Sequence, residues 1–318
     1  MSGSIAVELD GQYRQMREEC GLLVRDGRGM LVVSGPDAAE YLQGQLTNDV
    51  EALEVGEGQR AALLDRKGHV QADMRVLRPG EEPEFLIETE PEGIGAARRH
   101  LQMYKIGREV EVEDVSGERV VLSLIGPRAA EVAGAPPLPE NNCEAIAVAG
   151  VDCLAVGAAA GIDLIGASGE RERLRAALLD AGAAEVGAEA AEILRIEAGT
   201  PRFGAEIGTE TMPAEAGIVE QAVSFTKGCY IGQETVARLH YKGRPNRHLR
   251  GLRLSGAAEP GAALRLGEKE VGRLGSAAVS PALGPIGLAI VRREAEPGAE
   301  LAVGEDGVTA QVVALPFG

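Results

Sequence analysis

A seven-residue run occurs twice in this chain, and the repetition restricts its folding more than any other feature. Ser34-Gly35-Pro36-Asp37-Ala38-Ala39-Glu40 returns 91 positions later as Ile125-Gly126-Pro127-Arg128-Ala129-Ala130-Glu131, identical at five of the seven positions. The apolar pattern around each copy has the same order. In the first, 30–34 reads as a strand, and the Gly-Pro pair starts a helix over 37–46 with Pro36 at its first position. Strands at 61–64 and 70–77 follow, joined by a turn at 65–68, then a strand at 85–88 and a helix over 94–104. The second copy repeats this with strands at 145–148, 153–156 and 163–165 and a helix over 170–179. The pattern predicts an α+β fold with two duplicated strand-helix-strand-strand-strand-helix lobes, near 29–110 and 118–200, around a central cleft of the kind that binds ligands.

Beyond the repeat, a helix over 190–198 stops at Gly199, with Pro201 following. From Arg250 onward short apolar stretches (252–254, 263–266, 271–274, 286–291, 307–313) are spaced by Gly and Pro, which predicts a small C-terminal β-barrel. The expected division is a bilobal region over 1–242 and a barrel over 243–318.

Composition excludes several roles. A net charge of −17 repels a phosphate backbone, so no nucleic-acid partner is expected. No apolar run reaches membrane-spanning length, and Met1-Ser2-Gly3-Ser4 does not begin a secretory signal, so the expected location is cytoplasmic. The four cysteines form no C-x-x-C pair and have no histidine at a zinc-ligand spacing, so no stably bound metal is expected. Cys20, Cys143 and Cys153 read as small buried hydrophobes.

Chemistry concentrates in Lys227-Gly228-Cys229-Tyr230-Ile231-Gly232-Gln233-Glu234. A nearby ammonium can stabilise a thiolate, so Cys229 reads as a nucleophile or soft-metal ligand, or else as a cysteine packed in a turn. The two glycines permit backbone angles or close approaches that a Cβ blocks. Glu197, in the last turn of its helix, meets a dipole that disfavours negative charge by up to ~1 kcal/mol. A ligand offsets that cost, or an ion pair with Arg195 or Arg202 does. On its strand Asp73 faces away from Val70, Ala72, Met74 and Val76, either lining the cleft or pairing with Arg75 in the open. Between positions 238 and 253 stand Arg238, Lys242, Arg244, Arg247, Arg250 and Arg253 with no acid, a patch for an anionic tail or acidic partner unless the chain's own acids neutralise it.

The eight-residue run resembles, at every position, the signature K-G-C-[FY]-x-G-Q-E of the YgfZ-type folate-binding proteins. These are relatives of the glycine-cleavage T-protein that act in iron–sulfur cluster biogenesis. Arg195-Ile196-Glu197-Ala198-Gly199 through Gly204 is similar to the R-x-E-A-G-x-P-x-[FY]-G stretch of the same superfamily, and 41–50 and 213–217 extend the likeness. The resemblance implies tetrahydrofolate or a one-carbon derivative as cofactor, with the pterin held by Glu197. Arg195, Gln233, Tyr230, Arg238 and Arg244 stand around it as cofactor-binding positions, and Cys229, Asp73 and Lys227 as catalytic ones. It further implies an accessory function in assembly or repair of iron–sulfur clusters in client enzymes, including tRNA-modifying ones, through transient contacts with client or assembly proteins. One cysteine cannot hold such a cluster alone, so any contact is transient, bridged or made through a partner. The alternative is aminomethyltransferase-like one-carbon transfer. T-proteins carry two adjacent aspartates where this chain has Ala72-Asp73, a basic residue where it has Gln233, and no cysteine at position 229; each difference favours the accessory reading.

Overall fold

The computed structural model describes residues 2–317, with side chains from Glu8 onward. Its contacts divide the chain into two compact units that do not follow chain order. The first takes the chain up to Leu64, then Gln71–Ala190 and Gln221–Ile231; the second takes Asp65–Val70, Ala191–Glu220 and everything from Gly232.

The first unit opens with a helix absent from the sequence expectation, α1 (Ser2–Glu18), and a strand, β1 (Gly21–Arg25). The first repeat follows as β2 (Gly29–Ser34), α2 (Ala38–Gln45), β3 (Gly58–Leu64), β4 (Val70–Leu77), β5 (Glu84–Thr89) and α3 (Pro91–Met103). After a leading strand, β6 (Glu111–Asp114), the second copy comprises β7 (Arg119–Ile125), α4 (Ala129–Ala133), β8 (Cys143–Val148), β9 (Val151–Ala158), β10 (Gly161–Ala167) and α5 (Arg171–Asp180), followed by the short β11 (Ala184–Glu185). The predicted element order holds in both copies. Several boundaries move: β3, β8, β9 and β10 begin two or three residues earlier than expected, Pro36 lies in the turn ahead of α2, and α3 begins at Pro91, where proline suits the first helical turn.

The sheets show how the copies are joined. One runs β3-β4-β5-β2-β6 and the other β8-β9-β10-β7-β1-β11. Strand β1 precedes the first copy but pairs with the second, from Gly21↔Ile125 to Arg25↔Val121. Strand β6 precedes the second copy but pairs with the first, from Leu31↔Asp114 to Ser34↔Glu111. Each repeat thus lends its leading strand to the other's sheet. The recurrence of the Gly-Pro turn has the same origin. Gly35 (φ +116°) and Gly126 (φ +134°) pass so near the approaches to β6 and β1 that a Cβ would sit 2.3 Å from the Glu109 carbonyl oxygen and 2.4 Å from that of Glu19. Only glycine fits such a place.

Alternation along each strand separates two burial surfaces. Leu31 and Val33 of β2 pack with Tyr41, Leu42 and Leu101 of the helices, while Met30 points the other way, against Leu77, Leu86, Val121, Val156 and Ile165. That second cluster joins the inner faces of the two sheets, each large side chain contributing about 1.5–3 kcal/mol on burial. Beside it runs a buried ionic chain. Arg28 and Arg75 both donate to Glu88 (Nε–O 2.8 Å each), Arg75 reaches Asp163 of β10 at 3.0 Å, and Ser123 donates to Asp163 at 2.5 Å and accepts from Arg25 at 2.7 Å.

The second unit contains α6 (Ala188–Glu197, whose first turn belongs to the first unit), α7 (Pro213–Ala216), α8 (Val219–Ala222, shared likewise) and α9 (Gln233–Lys242). Its barrel follows as β12 (Arg247–Leu254), β13 (Ala263–Leu266), β14 (Lys269–Arg273), β15 (Ser276–Ser280), β16 (Gly284–Arg292), β17 (Glu300–Val303) and β18 (Val308–Val313). The order β12-β18-β17-β13-β14-β16 closes through β12–β16, leaving β15 as a flange on β16. Closure removes exposed edges. Leu252, Leu264, Val271, Val291, Leu301 and Val312 fill the interior.

Candidate functional site

Of the four cysteines, Cys229 alone is exposed. Burial pushes the thiols of Cys20 and Cys143 up to about 11 and raises that of Cys153, so these three are poor thiolates near neutral pH. The lysine two residues before Cys229 is occupied elsewhere. Lys227 is buried, and its ammonium donates to the carbonyls of Gln43 (2.6 Å), Leu46 (2.7 Å) and Asn48 (2.8 Å). It satisfies orphan carbonyls at the end of α2, where a cation also suits the helix dipole. Burial pulls this ammonium down to about 8, with Asp49 and Glu51 acting against the shift. Its Nζ also lies 5.3 Å from the centre of the buried Tyr230 ring, whose hydroxyl burial drives up to about 12. Lys227 and Tyr230 are therefore brought together as an anchor that pins this loop, with Cys229 outward between them.

Asp73 differs from one of its two expectations. It is neither exposed nor paired with Arg75, which is taken by Glu88 and Asp163. Instead Arg60, on the neighbouring β3, binds Asp73 Oδ2, and Thr89 Oγ1 donates to the Asp73 carbonyl at 2.7 Å. Oδ1 is buried without a hydrogen-bond partner among the described residues. Burial raises this carboxyl's proton affinity, and Arg60 opposes the rise. A buried carboxylate oxygen without a donor is uncommon in a folded protein and calls for a reason beyond packing. Sequence reading missed Arg60; only the β3–β4 pairing places it there.

In the second unit, α6 lies along β15 and presents its R-x-E pair to two serines. The Ser280 hydroxyl donates to Glu197 and accepts backbone N–H groups of Ala282 (3.0 Å) and Leu283 (2.9 Å). Ser276 accepts from Arg195 at 2.5 Å. Arg195 spends its remaining donors on Glu192 (2.7 and 2.9 Å), the buried Glu206 (3.0 Å) and the Thr200 carbonyl, so all five N–H bonds have protein acceptors. This clasp fixes the helix end and leaves Glu197, half-buried, at its tip. The expected ion pairs form with a different acid: both Arg195 and Arg202 bind Glu192. Glu206 and the two serines are contributors that no local motif flagged.

The basic run is divided by the fold. Gln233 opens α9 behind Gly232 (φ +85°), and Arg238, Lys242 and Arg244 are exposed along and just past that helix. Arg247 instead grips Glu215 through two bonds (2.9 and 2.7 Å), and Arg253 lies 6.0 Å from the Phe317 ring centre. Among the described residues no group of three or more His, Cys, Asp and Glu side chains is placed to hold a metal ion, and no helix is long and apolar enough to cross a membrane.

A duplicated, strand-exchanged α+β region followed by a closed barrel defines a T-protein-like class of architecture. Residues 6–227 match the GCVT N-terminal domain and residues 247–317 the glycine cleavage T-protein C-terminal barrel domain. The chain belongs to the glycine cleavage T-protein family. It is similar to the aminomethyltransferase of Rubrobacter xylanophilus, 30% identical over 324 residues that cover 97% of this chain and 86% of that one. It is also similar to that of Thermus thermophilus, 31% identical over 321 residues, covering 96% and 89%. Among solved structures, glycine cleavage system aminomethyltransferase T from Bartonella henselae superposes with a TM-score of 0.87 at 25% identity, covering 98% of this chain and 89% of that one. The YgfZ-type branch expected from the cysteine motif is a narrower placement than these relatives give.

Proposed function

We propose that this chain binds tetrahydrofolate or a one-carbon derivative of it in the cytoplasm. Its own work is to assist assembly or repair of iron–sulfur clusters in client enzymes, with Cys229 as the functional thiol. The observation that carries this reading is the contrast among the cysteines: three are buried, and the one inside the K-G-C-Y-I-G-Q-E run is exposed. The fold invests a buried lysine and tyrosine in holding that loop without covering the sulfur.

The residues present suit a reduced folate. A carboxylate such as Glu197, steadied by Ser280, can accept two parallel N–H bonds from an aminopyrimidine edge. Exposed Arg238 and Arg244 supply positive charge for the carboxylates of a folate tail, at about 0.2–1 kcal/mol per exposed pair.

A second reading, aminomethyl transfer to folate, is favoured by the relatives, both of which are aminomethyltransferases, and by Asp73 as base or electrostatic stabiliser. Ala72 beside Asp73, Gln233 and Cys229 favour the first. Titration with tetrahydrofolate, comparing the parent with Glu197→Ala, tests the shared premise; equal affinity in both removes it. Formation of methylenetetrahydrofolate from an aminomethyl donor at robust turnover establishes the second reading over the first. In a deletion strain, activity of a cluster-containing tRNA-thiolating enzyme falls and Cys229→Ala fails to restore it if the first reading holds; full rescue removes the thiol from the function.

A further inference from the structure

The barrel side of the second unit carries a cavity of about 800 Å3, in the range of small-molecule sites, that the folate reading does not use. The loop 204–211 forms one wall, and strands β12, β14 and β16 with the turns at 260–261 and 274–275 form the rest. Its opening follows from the ladder. Strands β14 and β16 share a single register pair, Gly272↔Val291, after which Gly275 packs without a side chain against Glu206. A Cβ at Gly275 would lie 2.9 Å from Glu206 Cγ, so the wall is kept thin where the strands part.

Charge at this cavity is unbalanced. Arg247 and Arg292 are direct cross-strand partners in the β12–β16 ladder, and both line the cavity. Like charges placed opposite each other on a sheet are destabilising. Arg247 is relieved by its two bonds to Glu215. The exposed guanidinium of Arg292 has no hydrogen bond or ion pair among the described residues. The acid that feels its charge, Glu294, is itself bonded by Lys269. A third cation on the lining, Arg273, is held by Glu270 and the Gly261 carbonyl. The lining acids are likewise taken: Glu206 by Arg195 and Glu270 by Arg273.

We propose that this cavity is a second binding site, for a small organic anion bearing a carboxylate or phosphate group, with Arg292 as the principal contact and Arg247 and Arg273 flanking it. A bound oxyanion completes the half-neutralised arginine pair, and a guanidinium presents the forked donors such groups accept. The remaining volume accommodates the body of the ligand.

The test is calorimetric titration of the full chain with inorganic phosphate and, separately, with glutarate. Parent, Arg292→Gln and Arg119→Gln are compared, the last removing the same charge from an exposed position on β7 of the first unit. Matching urea midpoints confirm that the variants are folded. Saturable binding of either probe, weakened at least tenfold by Arg292→Gln and unchanged by Arg119→Gln, supports the site. Which probe saturates tells phosphate from carboxylate. The inference is overturned if neither saturates, if Arg292→Gln binds like the parent, or if Arg119→Gln weakens binding equally. Because Glu197 is not on the cavity wall, Glu197→Ala leaves this binding intact whether or not the folate reading stands.

Discussion

Replacing Glu88 by glutamine isolates the buried ionic chain between the two sheets. Glu88 is 2% exposed and accepts from two guanidiniums, so the carboxylate form is strongly favoured in the folded protein. Arg75 and Arg28 outweigh the opposing cost of burial and pull the carboxyl from 4.5 to about 2. Removing one member of a buried, hydrogen-bonded ionic cluster leaves its partners uncompensated, at a cost of about 3–5 kcal/mol. The folded form holds the proton more weakly than the unfolded chain. The contribution is therefore complete above the unfolded value near 4.5 and is lost as the pH falls towards 2. The expected outcome is that Glu88→Gln lowers stability by about 3 kcal/mol at pH 7, the scale for breaking a buried pair. Urea unfolding of parent and variant between pH 7 and pH 2.5 measures the difference, in which the other carboxylates cancel. The gap should narrow steadily below pH 4.5. A gap below about 1 kcal/mol at pH 7, or one that stays constant down to pH 2.5, refutes the reasoning.

Three further outcomes follow from other contacts. Lys227→Met leaves three carbonyls around the end of α2 without their donor and should cost about 3 kcal/mol in urea unfolding; a loss below 1 kcal/mol removes the anchoring role. A thiol reagent such as Ellman's should titrate one cysteine in the native protein and four after denaturation, and fast reaction of a second native thiol contradicts the burial of Cys20, Cys143 and Cys153. Gly126→Ala should destabilise by more than 2 kcal/mol, because a left-handed φ and a 2.4 Å approach to the Glu19 carbonyl both oppose a side chain; a thermal midpoint equal to the parent's excludes that geometry.

The repeat and the barrel were legible because each writes a local pattern: apolar alternation, a Gly-Pro turn, glycines at regular intervals. What the sequence concealed is what depends on partners distant in the chain. Strand β1 reads Gly-Leu-Leu-Val-Arg and β6 only Glu-Val-Glu-Asp, and neither announces that it belongs to the other repeat's sheet. Strands β15 and β17, Ser-Ala-Ala-Val-Ser and Glu-Leu-Ala-Val, are too short and too small-residued to register. The site divides the same way. Motifs located Glu197 and Cys229, but the groups that orient them (Ser280, Arg60 beside Asp73, the carbonyls that claim Lys227) stand 13 to 184 positions away from their partners. The pairing expected between Asp73 and Arg75 failed because Glu88 and Asp163 compete for that arginine from within the buried chain.

The reciprocal lending of β1 and β6 bears on where such a molecule can come from. A single repeat on its own would have a vacant sheet edge and a spare strand, a state that two identical chains relieve by trading arms around a two-fold axis. Fusing such a pair end to end yields the present connectivity without breaking any backbone pairing. A protein severed between α3 and β6 should accordingly reassemble from its two pieces, while either piece alone seeks a twin.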